Sequence, residues 1–376
     1  MQNWLGCNWP FARLVEWGRD EGHGAKSGAV KVLGIESSCD DTSAAVLDGR
    51  IVLSNVTASQ DSVHAPYGGV VPELAARRHL ESIQQVIALA LEKADVSLTD
   101  LDAIAVTRGP GLIGSLIVGV STARGLALRT GIGLLGINHL EGHALSPLID
   151  HEIGFPFLSM VVSGGHSSLY VVRGVGNYEE VASTRDDSAG EAFDKGAKML
   201  GLGFPGGKLV DDLAKNGNRR AIAFPRGRVK ADPLALSFSG LKTSLCDYLT
   251  ANAGKFRLED VCASFQEAIV DVLVRRAKAA METYGVDRVA VAGGVSANSR
   301  LRAAMQEFCP DAIFPRMNLC TDNAAMIAYA AVRRVECGLP CDDLDVKARL
   351  PLGRFSPTGA ASHPAVAGGS GDVAAG

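Results

Sequence analysis

The sequence contains one order of structural elements twice, and this duplication restricts its fold more than any other feature. Lys31–Leu47 and Phe157–Val172 each consist of an apolar run, a short polar turn and a second apolar run. A polar turn between two apolar runs is typical of a hairpin whose loop stands clear of a sheet. Both segments are therefore predicted to form β-hairpins.

The same further elements follow each hairpin. A third strand and a helix come next, then a strand, a glycine loop and a helix, and finally a strand, a loop and a helix. They are predicted at 51–58, 72–93, 103–128 and 134–148 in the first half, and at 180–184, 190–200, 288–305 and 312–332 in the second. This order predicts an α/β fold with two mixed sheets, flanked by helices and facing each other across a cleft.

The chain has 376 residues, enough for two domains of ordinary size. We expect the first lobe at 30–150 and the second at 151–350. Residues 1–29 contain all three tryptophans and mixed charges but no apolar run typical of a secretory signal, so they are predicted to be a disordered extension or a misassigned start. Residues 351–376, mostly Ala, Gly, Ser and Pro, are predicted to be a disordered tail.

His139 and His143 form a candidate pair of metal ligands. Residues four apart on a helix project from one side, so the two imidazoles can converge, but two ligands do not complete a site. Asp322 begins the final helix of the second half, the place equivalent to that of the histidines in the first, and is the predicted third ligand. The alternatives are two histidines on an ordinary helix face, and Thr321 or Asp322 as a helix N-cap.

A metalloprotease is disfavoured by the position of Glu141. The protease motif places its glutamate directly after the first histidine, where it acts as the base. Glu141 lies two residues after His139 and therefore about 200° around the helix from it.

Two glycine loops are candidates for binding an anion. Ser163-Gly-Gly-His166 stands at the tip of the second hairpin, where backbone N–H groups can approach a phosphate, although Gly-Gly is also a simple tight turn. Gly293-Gly294 follows an apolar strand and precedes a helix, so an anion or a ribose could bind at the helix N-terminus with help from Asn298. The alternative is that Asn298 only caps this helix.

Carboxylates and a third glycine loop follow in the second half. Asp194 could line the cleft and bind hydroxyls, or belong to a solvated acidic helix start. Phe204-Pro-Gly-Gly207 allows close backbone approach, and Asp211 comes just beyond it. The first half contains the pattern GxGxxG at 109–114, but its proline removes a backbone donor and no acid ends the next strand, so NAD binding is disfavoured.

Composition indicates a globular cytoplasmic protein. The net charge of −4 provides no overall basic field, which argues only weakly against a nucleic-acid partner because a local patch would suffice. The eight cysteines are scattered and fit a reducing compartment. No uninterrupted apolar run of about 18 residues is found, so no membrane span is expected.

Many ordered motifs between about residues 31 and 350 resemble those of the TsaD family, the tRNA adenosine threonylcarbamoyltransferases once described as sialoglycoprotein endopeptidases. The motifs are Gly34-Ile-Glu-Ser-Ser-Cys-Asp40, Tyr67-Gly-Gly-Val-Val-Pro-Glu-Leu74, Gly109-Pro-Gly111, His139-Leu-Glu-Gly-His143, Val162-Ser-Gly-Gly-His166, Gly190-Glu-Ala-Phe-Asp-Lys195, Phe204-Pro-Gly-Gly207, Ser237-Phe-Ser-Gly-Leu-Lys242, Ala292-Gly-Gly-Val-Ser-Ala-Asn298 and Cys320-Thr-Asp-Asn323.

The resemblance implies an actin-like, Hsp70-like (ASKHA) two-lobed fold built from duplicated RNase H-like halves. The implied reaction transfers a threonylcarbamoyl group from threonylcarbamoyl-AMP to N6 of the adenosine 3′ of the anticodon in tRNAs that read ANN codons. It also implies one Fe²⁺ per subunit on His139, His143 and Asp322, with Zn²⁺ as the alternative. The implied substrate-binding residues are Val161, Val162, Ser163, Gly164, Gly165, Asp194, Gly207, Asp211 and Asn298.

The resemblance further implies accessory proteins, namely a TsaB-like paralogue that forms a heterodimer and a TsaE-like ATPase. No separate catalytic base is assigned. Two other functions stay open at this point: an ATPase or kinase, as the fold commonly supports, and a non-catalytic scaffold of an RNA-modification complex. A pair of histidine ligands argues against the kinase, because Mg²⁺ prefers oxygen ligands.

Overall fold

The structure, a computed structural model, describes residues 29–227, 229, 232–341 and 343–353. Its first sheet has five strands in the order β3-β2-β1-β4-β5. Strands β1 and β2 form the predicted hairpin, with Lys31 opposite Asp48, whereas β1, β4 and β5 run parallel. The strands are β1 (Lys31–Glu36), β2 (Thr42–Asp48), β3 (Ile51–Ala58), β4 (Ala103–Gly109) and β5 (Gly133–Asn138).

The second sheet repeats this arrangement with four strands in the order β8-β7-β6-β9. They are β6 (Phe157–Val162), β7 (Ser167–Gly174), β8 (Asn177–Ser183) and β9 (Val289–Ala292). The predicted fifth strand near Ala312 is wrong, because only a single bridge forms there, between Ala290 and Ile313. Pro310 and Pro315 flank this segment, and neither has a backbone N–H to extend the ladder.

Helices are found in both halves of the chain. In the first half these are α1 (Asp61–His64), α2 (Pro72–Ala94), α3 (Ile113–Thr130) and α4 (His139–Leu145). In the second half they are α5 (Ala189–Met199), α6 (Gly206–Ala214), α7 (Ser239–Ala251), α8 (Leu258–Tyr284), α9 (Ser299–Phe308) and α10 (Ala324–Glu336). The duplication did not predict α6, α7 and α8, which have no counterpart in the first half.

The alternating side chains of the strands divide the interior into layers. On β1, Leu33 and Ile35 pack with α2, whereas Val32 faces a second core that contains α4 and α10. On β6, Met160 faces the α5–α9 side, whereas Val161 faces the same second core. Helices α4 and α10 therefore form a shared layer between the two sheets.

This shared layer bears on the expected domains. The final helix of the second half packs on β1, β2 and β4 of the first sheet, and α4 contacts β6 and β9 of the second. The division of the core at residue 150 stays a prediction. The expected disorder at 1–29 and 351–376 concerns residues that lie almost entirely outside the described ranges.

Candidate metal centre

Helix α4 places both candidate histidines at the centre of the molecule. It begins at His139, directly after β5, because Asn138 accepts a hydrogen bond from the Leu140 backbone N–H at 2.8 Å and so caps the helix. Both imidazoles are buried, and their ring centroids are 4.6 Å apart. The predicted convergence of the two histidines on one side of the helix is confirmed.

Asp322 reaches the same point from the loop before α10. Its Oδ1 lies 3.1 Å from His143 Nε2 and 3.7 Å from His139 Nε2. The three ligand atoms lie within 4.8 Å of one another, so the predicted meeting of Asp322 with the histidine pair is confirmed. The cap of α10 is Asn323, which accepts a hydrogen bond from the Met326 N–H, so Asp322 is not needed as the N-cap.

A glycine on β1 allows this approach. A Cβ at Gly34 would lie 2.3 Å from the backbone oxygen of Ala324 and 2.9 Å from Cβ of Ala328. Only a residue without a side chain lets the first turn of α10 lie so close to the sheet. Because Ala324 follows Asp322 by two residues, Gly34 helps to set the position of this carboxylate.

The residues fit a divalent metal ion by the chemistry of their donor atoms. Two imidazoles and one carboxylate are a ligand set that suits iron and zinc better than magnesium. Burial alone would lower the pKa of His139, but the carboxylates of Glu36 and Asp322 raise it to about 9. Burial alone would raise the pKa of Asp322, but His139 and His143 hold it below its usual range. The carboxylates of Glu36 and Asp322 therefore favour a positive charge at this point, as a metal-binding site requires.

Glu141 points away from this centre. Its carboxylate accepts hydrogen bonds from Tyr178 Oη and Arg334 Nε, both at 2.8 Å, and it is fully buried. These partners come from β8 and α10, so Glu141 joins the two halves of the chain. This position agrees with the argument that it cannot act as a protease base.

The glycine hairpin between β6 and β7 adjoins the metal ligands. The ring of His166, at the end of this hairpin, lies 6.4 Å from that of His139 between centroids. Burial and the neighbouring charges of His139 and His143 lower the pKa of His166 to about 4, so this imidazole is neutral at pH 7. The Ser163 N–H donates to the His166 oxygen at 2.8 Å, which closes the predicted turn.

The glycines around the site fall into two groups. A Cβ at Gly190, Gly206 or Gly293 would meet backbone or Cβ atoms within 2.5 Å, so protein packing requires these glycines. A Cβ at Gly164, Gly165 or Gly207 would meet no atom within 4 Å. These three positions leave open space beside the backbone, where a ligand could approach.

Three other predicted substrate-binding side chains are held by the protein itself. Asp194 accepts a hydrogen bond from the Gly206 N–H at 2.7 Å, and Asp211 accepts one from Ser299 Oγ at 2.7 Å. Asn298 caps α9, as its alternative interpretation predicted, and donates to Gln266 Oε1 at 2.7 Å. Their role in binding substrate stays a prediction, as does that of Val161 to Gly165.

Electrostatic effects connect these side chains with the first lobe. The pKa of Asp194 is raised by burial and by the charges of Asp40 and Asp61, although hydrogen bonds from Gly206 and Gly207 oppose this shift. Burial and the charge of Asp322 raise the pKa of Asp41 to about 8. The loop after β1 therefore faces both the metal ligands and α5.

Sequence reasoning missed Glu36 and Thr107, which lie beneath His139. Thr107 Oγ1 donates to Glu36 Oε2 at 2.7 Å, and His139 Nδ1 lies 3.0 Å from the same oxygen. The signal was a glutamate at the end of a strand that is otherwise apolar, because an acid is rarely buried unless it is paired.

The fold and site together define a class: a two-lobed actin-like α/β protein with a candidate His-His-Asp metal centre where its two central helices begin. Two solved structures share the fold. T. kodakarensis HypF matches 85% of this chain and 49% of its own with a TM-score of 0.56 at 14% identity. Full-length HypF in the phosphate- and nucleotide-bound form matches 82% of this chain and 47% of its own, with a TM-score of 0.55 at 12% identity.

Sequence comparison identifies the family. The family model of TsaD, tRNA N6-adenosine threonylcarbamoyltransferase, matches residues 51–329, so the chain belongs to this family. The protein of that name from Geotalea uraniireducens is 51% identical over 327 residues, which are 84% of this chain and 95% of the relative. The one from Clostridium botulinum is 49% identical over 312 residues, which are 81% of this chain and 92% of the relative. No helix within the described ranges has the length and apolar character needed to cross a bilayer.

Proposed function

We propose that this protein transfers the threonylcarbamoyl group of threonylcarbamoyl-AMP to N6 of the adenosine 3′ of the anticodon in tRNAs that read ANN codons. The proposal rests on one observation: the ligand atoms of His139, His143 and Asp322 lie close together beside an open glycine hairpin. The chain that contains them belongs to the TsaD family. Because the substrate is a tRNA, the reaction takes place in the cytoplasm.

The donor would lie along the second lobe. Backbone N–H groups of the hairpin from Val161 to Gly165 can receive its phosphate, because no side chain obstructs Gly164 or Gly165. Asp194 and Gly207, on facing parts of α5 and α6, are proposed to contact the ribose.

The adenine base of the donor is proposed to bind in an open groove of the second lobe. The groove has a volume of about 450 Å³ and is lined in part by Gln266 and Ser299. Gln266 is hydrogen-bonded to Asn298 and Ser299 to Asp211, so each proposed binding residue is one hydrogen bond away from the lining of the groove. The alternative, that Asn298 serves only as a helix cap, predicts no change in donor affinity when it is replaced.

His139, His143 and Asp322 are proposed to hold one Fe²⁺ per subunit, with Zn²⁺ as the alternative. When bound, this ion supplies Lewis-acid polarisation of the carbonyl group of the donor. The chain itself orients the carbonyl carbon towards the incoming N6 amine and holds AMP as the leaving group. Catalysis is then mostly positioning and charge stabilisation.

The thiol of Cys39, in the loop after β1, is not activated for a covalent step. Burial, with the nearby Asp40, raises the pKa of the Cys39 thiol well above its usual value, so it stays protonated and is a poor nucleophile. We therefore propose direct attack, in which the N6 amine bonds to the carbonyl carbon and the bond from that carbon to the phosphate oxygen breaks. AMP leaves with the electron pair of that bond, and the proton lost by the amine passes to solvent. Trapping a threonylcarbamoylated Cys39 or Cys320 in a single turnover would overturn this step.

The accessory proteins are proposed from the family. We expect a TsaB-like paralogue to form a heterodimer with this chain, and a TsaE-like ATPase to act with the pair. The first measurement is therefore best made with these proteins present.

The test is mass spectrometry of tRNA nucleosides after depletion of the protein. Loss of threonylcarbamoyladenosine is expected, and an unchanged amount would count against the proposed reaction. His139→Ala separates enzyme from scaffold, because it should abolish the modification and leave partner binding intact. Modification that survives in His139→Ala would favour the scaffold, and the absence of iron or zinc after dialysis would favour the ATPase or kinase.

A further inference from the structure

Three hydrogen-bond donors converge on one buried carboxylate beneath the metal ligands. Glu36 ends β1 and is 1% exposed. The backbone N–H of Ser38 donates to its Oε1, and Thr107 Oγ1 donates to its Oε2 at 2.7 Å. His139 Nδ1 lies 3.0 Å from the same Oε2. The carboxylate therefore has a fixed position and a partner at each oxygen.

The carboxylate accepts at both oxygens: the Ser38 N–H can only donate, and Thr107 and His139 donate to the other oxygen. A glutamine could keep its oxygen towards the Ser38 N–H and turn its NH₂ group towards Thr107 and His139. The NH₂ group would then favour the tautomer of His139 whose Nδ1 accepts and whose Nε2 carries the proton. Within the described ranges no lysine or arginine side chain lies within ion-pair distance of Glu36, so its buried carboxylate depends on these three hydrogen-bond partners.

The contact determines which nitrogen of His139 is free. In the neutral imidazole that binds a metal, a proton on Nδ1 directed to Glu36 leaves the lone pair on Nε2, the atom that lies 3.7 Å from Asp322 Oδ1. Ser38 Oγ lies 3.1 Å from the same Nδ1 and can accept from it as well. His143 differs, because its Nδ1 is buried and has no hydrogen-bond partner among the described residues. His143 is oriented only through its Nε2, which lies 3.1 Å from Asp322 Oδ1, so of the two histidines His139 alone has a partner at Nδ1 that is not itself a proposed ligand.

We propose that Glu36 is a positioning residue, which holds His139 in the orientation and tautomer that bind the metal through Nε2. Such outer hydrogen bonds fix ligand geometry and raise the basicity of the imidazole. The inference rests on the proposed metal centre and adds to it the residue that prepares its first ligand. Glu36 itself touches neither the metal nor the substrate.

The test is Glu36→Gln in the full chain, stripped of metal and titrated with Zn²⁺ against a chromophoric chelator. The expected fall in affinity is about 10- to 100-fold. The ¹⁵N resonances of the Zn²⁺-loaded protein give a second readout: wild type should show His139 bound through Nε2, and the variant a mixture of both ring nitrogens. A loss of general stability alone would not exchange one ring nitrogen for the other.

Two further variants make the result decisive. Glu141→Gln removes another fully buried carboxylate, on α4 itself, but one that contacts Arg334 and Tyr178, so Zn²⁺ affinity should stay near that of wild type. Glu36→Asp keeps the charge but moves the carboxylate away from His139, so it should also lose Zn²⁺ affinity. This variant supplies the test if Glu36→Gln does not fold. Wild-type affinity and ring-nitrogen pattern in both Glu36 variants, or an equal loss in Glu141→Gln, would overturn the proposal.

The outcomes also separate this inference from the proposed function. If the wild-type chain holds neither Zn²⁺ nor Fe²⁺, the metal centre fails and this inference fails with it. If wild type binds Zn²⁺ and responds to Glu36→Gln as expected but does not modify tRNA, the proposed reaction fails and the role of Glu36 stands.

Discussion

Replacing Gly34 by alanine tests how closely the fold and the metal centre are connected. The new Cβ would lie 2.3 Å from the Ala324 oxygen, whereas nonbonded carbon contacts are comfortable at about 3.5 Å, so the two must separate by about 1 Å. Overpacking of this kind costs about 1–3 kcal/mol. Metal–ligand distances in a well-formed site lie within about 0.2 Å of their standard values, so a movement of the start of α10 by about 1 Å should take Asp322 out of position to bind the metal with the two histidines.

The assay has two parts, metal content by mass spectrometry after dialysis and stability by urea unfolding followed by circular dichroism. Gly34→Ala should remain folded yet lose metal affinity by more than the ~10- to 100-fold expected from losing an outer hydrogen bond. Gly125→Ala on α3 is the matched control, since its Cβ would meet no atom within 4 Å. The control should gain about 0.5–1 kcal/mol and keep its metal. Wild-type metal affinity in folded Gly34→Ala would refute the reasoning.

Three other predictions concern residues around the site. Arg334→Met leaves the buried carboxylate of Glu141 without its cation and should lower the free energy of unfolding, measured in urea, by about 3–5 kcal/mol. The double variant Arg334→Met/Glu141→Gln should lose clearly less than the sum of the two single losses, and additive losses would contradict a coupled pair. Cys39→Ser should leave the single-turnover transfer rate nearly unchanged, because the thiol does not ionise, and a large fall in rate would argue for a covalent step. Burial alone would raise the pKa of Asp186, but hydrogen bonds from the backbone and hydroxyl groups that begin α7 lower it below 3.8, so it contributes stability above that pH that is lost as the pH falls further. The thermal midpoint, measured between pH 3 and 7, should therefore fall less steeply towards low pH in Asp186→Asn than in wild type. Equal slopes in the two proteins would contradict a contribution of Asp186 to stability.

The duplication of the sequence predicted most of the fold because its signals are local. Hairpins, glycine loops and helix starts depend on neighbouring residues, so two mixed sheets flanked by helices follow from the pattern. The same reasoning extended from one half to the other located Asp322 opposite His139 and His143. The prediction of a fifth strand in the second sheet was wrong near Ile313, where two flanking prolines limit the pairing to a single β-bridge.

Other features depend on contacts between distant parts of the chain. In the sequence Gly34 looks like an ordinary strand residue. Only the folded structure, in which Ala324 packs against it, shows why a side chain is excluded there. Glu36 and Thr107 are 71 positions apart and meet only when β1 pairs with β4. No local pattern indicates that α10 covers the first sheet, because its apolar residues would suit either sheet.

The place of α10 has a consequence for how the protein is made. One face of the first sheet is covered by a helix that ends at Glu336, close to the end of the core. A ribosome that has just finished β5 must therefore synthesise nearly the whole second half, on the order of 10 s or more at bacterial rates, before that face can be covered. During this interval the apolar face of the first sheet that α10 later covers stays exposed. Nascent chains should therefore associate with chaperones until α10 emerges.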